Sequence, residues 1–187
     1  MPNVGVLALQ GDVREHTHLL KALGAHPVEV RRPAELQGVD AMVIPGGEST
    51  TIGKLATRFG LMEPLREAIS AGLPTYGTCA GLILLATAVT EGGQPLLGVL
   101  DVVVRRNAFG RQNDSFEADL EIAGLDDRFR AVFIRAPWVE KVGSEVEVLA
   151  GIGTHPVMVR QGRVLATSFH PELAGDPRIH RMLLDLL

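Results

Sequence analysis

Apolar residues come in short, nearly unbroken runs, and between them lie segments with helical spacing. Val4 to Leu9 reads as a buried strand, Val13 to Leu23 as a helix, Val28 to Arg31 as a strand and Ala41 to Ile44 as another buried strand. A helical pattern from Ser49 to Ile69, broken near Gly60 and Pro64, leads to a further run from Leu73 to Tyr76. Strands apolar on both sides, alternating with helices, predict an α/β fold: an open, mostly parallel sheet with helices on both faces. Beyond Gly92 strands dominate, at Leu100 to Arg105, Phe116 to Ile122, Val132 to Ile134 and Val146 to Leu149. Val157 to Arg160 and Arg163 to Phe169, around Gln161-Gly162, read as an antiparallel hairpin extension. A helix from Pro177 to Leu186 follows. With no repeat, low-complexity tract or linker, residues 1–187 read as a single domain.

Composition narrows the setting. The single cysteine, Cys79, makes an intramolecular disulfide impossible, and the start Met1-Pro2-Asn3-Val4 lacks the basic region of a signal peptide. A reducing cytoplasm is expected. The longest apolar stretch, Leu82 to Val89, is far short of the roughly 20 residues of a membrane span, so no membrane association is expected. Eighteen basic residues stand against 22 acidic ones. Arg105, Arg106 and Arg111 cluster, but no aromatic residues are spaced through a basic stripe, which argues against nucleic acid as a partner.

The chemistry concentrates in Gly77-Thr78-Cys79-Ala80-Gly81, between a strand-like run and the apolar run Leu82 to Val89. A Gly-x-nucleophile-x-Gly turn between strand and helix lifts its central side chain clear of the sheet, and small flanking residues permit the tight backbone. Amides at the start of the following helix favour a thiolate and can hold an oxyanion. Two other loops leave strand ends on the same side: Gln10-Gly11-Asp12, and Pro45-Gly46-Gly47-Glu48-Ser49-Thr50. Gly46-Gly47 is a candidate second wall of the oxyanion hole; the plainer reading is a helix start capped by Ser49. Gly47 through Lys54 imitates a phosphate-binding loop, but it has five residues between its glycines and Leu55 where a Ser or Thr belongs, so that reading is rejected.

A thiol nucleophile needs a base. Of the six histidines, His16, His18, His26 and His180 read as solvated. Between His155 and His170, only His170, in Phe169-His170-Pro171-Glu172, has a carboxylate two residues on to orient the ring, so His170 is the candidate base and Glu172 its partner.

Cys79 in its elbow with a late His170-Pro171-Glu172 resembles the triad-type, class I glutamine amidotransferases, which implies their flavodoxin-like architecture. The segments Leu9 to His16, Pro45 to Thr50, Arg106-Asn107-Ala108-Phe109-Gly110-Arg111-Gln112, Ile134-Arg135-Ala136-Pro137 and Ser168 to Leu173 narrow the resemblance to the glutaminase subunits of pyridoxal 5'-phosphate synthase. Ala174 departs from the pattern, where a threonine is expected. The resemblance implies L-glutamine as substrate, a glutamyl thioester on Cys79, and an oxyanion hole from the main-chain amides of Gly47 and Ala80. It implies Gly46, Gly47, Glu48, Arg106, Ile134 and Arg135 as the glutamine site, with no metal or organic cofactor. It also implies a separate synthase subunit, assembled as a large ring, that consumes the ammonia and activates the glutaminase on docking. Arginine suits a substrate carboxylate because its planar fork binds both oxygens. Arg105 reads as a solvated strand end, and Arg135, in an apolar segment, is harder to dismiss as surface. A cysteine hydrolase or redox sensor without glutaminase activity, and a non-catalytic regulatory subunit, remain the alternatives.

Overall fold

A computed structural model describes residues 1–110 and 114–187; Arg111 and Gln112 lie outside the described residues. β1 (Asn3–Leu7), α1 (Val13–Ala22), β2 (His26–Val30), a 3-10 turn (Pro33–Leu36), β3 (Ala41–Ile44), α2 (Ser49–Arg58), α3 (Met62–Ser70) and β4 (Thr75–Thr78) alternate along the first part. Then come α4 (Ala80–Leu85), β5 (Ala86–Val89), β6 (Leu100–Arg105), β7 (Ser115–Leu120), β8 (Phe129–Ile134) and β9 (Trp138–Val142). The chain closes with β10 (Glu147–Ile152), β11 (His155–Gln161), β12 (Val164–Thr167), α5 (Pro171–Ala174) and α6 (Arg178–Leu184).

The central sheet has seven strands in the order β10-β11-β12-β4-β3-β1-β2. β2, β1, β3, β4 and β12 run parallel, while β11 adds antiparallel to β12 and β10 adds antiparallel to β11. β3 shows why a central strand reads as a solid apolar run. Met42 and Ile44 face one core with α2 and α3, and Ala41 and Val43 face the other with α1, α6, β7 and β8. Each fully buried Val, Leu or Ile contributes about 1.5–3 kcal/mol to such cores. The break near Gly60 is a helix stop: Gly60 has φ 69°, and Leu61 N–H returns to Ala56 O at 2.8 Å. Pro64 is not a break. It occupies the first turn of α3, where its missing N–H leaves no helix bond unmade.

Two elements depart from the sequence reading. The run Leu82 to Val89 is not continuous, because α4 stops at Leu85 and the chain turns extended at Ala86 to pair with β6. β9 went unread because three of its five residues are exposed, leaving no apolar run; it pairs antiparallel with β6.

One consequence of the strand order positions the chemistry. β12, the last strand of the chain, lies beside β4 with Thr167 opposite Thr78, so the loops that follow both strands leave the sheet side by side.

Candidate active site

Cys79 follows β4 directly and has φ 48° and ψ −97°, a conformation that L-residues seldom adopt. The glycines around it are required by packing. A Cβ on Gly81 would lie 2.2 Å from Ile44 O, and one on Gly77 would lie 2.7 Å from the carbonyl carbon of Gly81. α4 has only six residues, so its dipole is short, and local amides and neighbouring side chains carry more of the electrostatics than a long helix would leave to them.

His170 stands at the start of α5, three residues beyond β12. Its N–H donates to Val132 O at 2.8 Å, and the approach is fixed by Thr167 Oγ1, which donates to Phe169 O at 2.9 Å and accepts from the Tyr76 hydroxyl. His170 Nδ1 is 2.6 Å from Glu172 Oε1 and 3.5 Å from Asp12 Oδ2. Burial opposes charge on this ring, but hydrogen bonding with Asp12, Cys79 and Glu172 outweighs it, and the His170 pKa is pushed up to about 12. Burial pushes Glu172 upward, and the bond to His170 pulls the other way. Glu172 Oε2 is buried with no hydrogen-bond partner among the described residues.

Cys79 and His170 face one cavity of about 350 Å³, whose lining includes Gln10, Asp12, Gly47, Glu48, Ala80, Arg106, Asn107, Ile134, Arg135 and Leu173. Cys79, Asn107 and Arg135 are the non-glycine residues with left-handed φ among those described, and all three line this cavity. Backbone strain concentrated at one site is the mark of a functional constraint.

Most sequence-nominated residues meet here. Gly46 and Glu172 do not line the cavity; they sit behind His170. A Cβ on Gly46 would lie 2.5 Å from His170 Cε1, so this glycine lets the ring pack against the backbone. Glu48, not Ser49, caps α2, because the longer carboxylate reaches both Thr50 N–H (3.1 Å) and Thr51 N–H (2.8 Å). Ser49 instead hydrogen-bonds Gln94. The Thr51 hydroxyl and these amides push Glu48 down to about 2, and Arg106 Nη2 lies 3.3 Å from its Oε1. Arg105 turns away to Glu140 at the surface, and His155 stacks on Trp138 at 3.6 Å.

Sequence reasoning singled out the Gln10-Gly11-Asp12 loop without giving its side chains roles. Gln10 Oε1 accepts from Glu48 N–H at 2.8 Å, tying the first loop to the glycine loop, and Asp12 reaches His170. Their signal was position, since both follow β1 on the side where β3 and β4 deliver their loops. His16 and His180, read as solvated, are fully buried and lie 2.8 Å apart. Each shares a helical face with leucine, His16 with Leu19 and Leu20 and His180 with Leu183, and that spacing was the available sign.

Asp12, His170 and Glu172 offer oxygen and nitrogen atoms within 4.8 Å of one another, the spacing of a small cation site. A cation there would take the His170 nitrogen now bonded to Glu172. No helix among the described residues is long and apolar enough to cross a membrane.

The profile of the SNO glutamine amidotransferase family matches residues 6–186. A pyridoxal 5'-phosphate synthase subunit PdxT of Frankia alni is 62% identical, covering 100% of this chain and 95% of the relative. The PdxT subunit of Streptomyces avermitilis is 60% identical, covering 100% and 94%. Among solved structures, a glutamine amidotransferase superposes with a TM-score of 0.94 at 56% identity, covering 98% of this chain and 97% of that one. Identity at this level over nearly the whole length, joined to the elbow and cavity above, places the chain in the SNO glutamine amidotransferase family.

Proposed function

We propose that Cys79, His170 and Glu172 hydrolyse L-glutamine to L-glutamate and ammonia, and that the chain is the glutaminase subunit of a pyridoxal 5'-phosphate synthase whose other subunit consumes the ammonia. The observation that carries this is the strained Cys79 facing one cavity with His170, whose Nδ1 is 2.6 Å from Glu172 Oε1. Cys79 Sγ, its proton already held on the His170 imidazolium, attacks the side-chain amide carbon as the thiolate. The tetrahedral oxyanion forms against the main-chain N–H groups of Gly47 and Ala80. The His170 imidazolium, held by Glu172, protonates the departing amine; ammonia leaves and a glutamyl thioester remains. Water, deprotonated by the now neutral His170, then releases glutamate, expels the Cys79 thiolate and restores its pairing with the His170 imidazolium.

Selectivity comes from the far side of the cavity. Arg135 and Arg106 bind the amino-acid carboxylate, and Glu48, an anion over the whole physiological range, faces the α-ammonium. Gly47 and Ile134 shape the wall and Gly46 seats His170. The chain acts as one amidotransferase domain in the cytoplasm, where the free Cys79 thiol stays reduced. Nothing in the relatives' names favours a redox sensor, and a cavity with two arginines suits a carboxylate substrate. The test is ammonia release from glutamine, with and without the synthase subunit. Turnover of glutamine and no turnover of asparagine is the expected result; a chain inert toward glutamine even in the complex contradicts the proposal.

A further inference from the structure

We propose that His16 is a positioning residue of this site, directing its Nε2–H toward Glu172 and held in that tautomer by His180. The inference rests on the triad reading above, since His16 acts only through Glu172. His16 is completely buried on α1 and touches three other elements. Its Nδ1 is 2.8 Å from His180 Nε2 on α6, and its Nε2 is 3.1 Å from Thr78 Oγ1 at the end of β4 and 3.6 Å from Glu172 Oε1 on α5.

The short contact between the two rings requires one donor and one acceptor, which leaves two arrangements of neutral rings. If His16 Nδ1 donated, His180 would carry its proton on Nδ1, a buried atom with no partner among the described residues. The His16 Nε2 lone pair would then face the carboxylate oxygen. In the other arrangement His180 Nε2–H donates to His16 Nδ1, the unpartnered His180 atom is a lone pair, and His16 Nε2–H bonds Thr78 and points its positive end at Glu172. Burying an unmade N–H and setting a lone pair against a carboxylate are both unfavourable, so both observations select the second arrangement. Glu172 Oε2 lacks a partner, which leaves Oε1, facing both His170 and His16, as the oxygen through which the carboxylate is oriented. Burial and the neighbouring His180 and His170 keep His16 neutral, so it supplies a dipole and no charge. The titratable groups facing this carboxylate are His170 and Asp12 from the cavity, and Tyr76 and His16 from β4 and α1.

Loss of the His16 dipole makes Glu172 easier to protonate and weakens its hold on imidazolium. The rate of Cys79 alkylation by iodoacetamide against pH reads this without glutamine. For His16→Leu the midpoint of that profile is expected to rise by about one pH unit, with kcat for glutamine in the synthase complex about tenfold lower at pH 7 and KM unchanged. His16→Gln, which keeps an N–H donor, recovers most of both. A folded His16→Leu with the wild-type profile, or equal losses in both variants, overturns the proposal. Should the variants not fold, long-range proton–nitrogen NMR of the wild-type histidines decides: Nε2–H on His16 supports the assignment, and Nδ1–H refutes it. If the alkylation shift occurs and glutamine is not hydrolysed, the positioning role stands and the glutaminase reading falls.

Discussion

Thr78 and Thr167 face each other across adjacent parallel strands, and the next amide, that of Cys79, donates to Thr167 O at 2.7 Å. Residues 89 positions apart in sequence are thereby set by one sheet register, and the loops that carry Cys79 and His170 leave the sheet together. The pairing is made by backbone and does not depend on the sulfur. Cys79→Ala is therefore expected to lose glutamate release by at least about 10³-fold while its melting temperature and synthase binding stay near wild type. Unfolding of this variant, seen by circular dichroism, would return Cys79 to a structural role.

The glycines at the site divide into two kinds. Gly81→Ala drives a Cβ into Ile44 O, a backbone atom with no freedom to yield, and is expected to destabilise the fold by about 2–4 kcal/mol in urea unfolding. Gly46→Ala meets the His170 ring and Asp12 instead, and those side chains can move. It should remain folded and lose most of kcat, because the displaced imidazole no longer faces Cys79.

How far the sequence carried the reading follows the periodicities. The parallel strands were legible because both faces of each are buried, as the split of β3 between two cores shows. β9, exposed at three of five positions, gave no such signal. The elbow and the His170-Pro171-Glu172 segment were legible because their chemistry is compressed into a few adjacent residues. Asp12, Gln10, His16 and His180 were not, since their roles arise from contacts between distant segments: His16 to His180 spans 164 residues. The polar character of His16 and His180 pointed to the surface, and only their shared faces with leucine pointed inward, while Gln10 and Asp12 were marked only by their place after β1.

Stability should fall on the acid side as two buried histidines are forced to take up protons. His180 is held down to about 4 by burial, and His16 lies well below its ordinary value for the same reason. Both bind protons when unfolded near pH 6.5 and resist them when folded, so stability present above pH 6.5 is lost as pH drops toward 4, by about 3 kcal/mol for His180 alone. His170 acts oppositely; its contribution is complete below pH 6.5 and fades only as pH climbs toward 12. Thermal melts between pH 7 and pH 4.5 should show a steep decline in wild type and a shallower one in His180→Leu. Parallel slopes would contradict the assignment.

His170 moves protons and Glu172 orients it, which predicts unequal losses. His170→Ala should reduce kcat to near background, and Glu172→Gln should cost about one to two orders of magnitude less, with KM for glutamine unchanged in both. Arg135→Ala should do the reverse, raising KM at least tenfold with a smaller change in kcat. Steady-state kinetics in the synthase complex separates the two patterns.

The most direct test of the central claim is rapid acid quenching of the synthase complex during glutamine turnover, followed by mass spectrometry of the peptide containing Cys79. A glutamyl adduct on Cys79 that builds up before steady state, and that accumulates when deacylation is slowed, is the predicted result. Glutamate produced at the full rate with Cys79 unmodified, or with the adduct on another residue, would contradict the account.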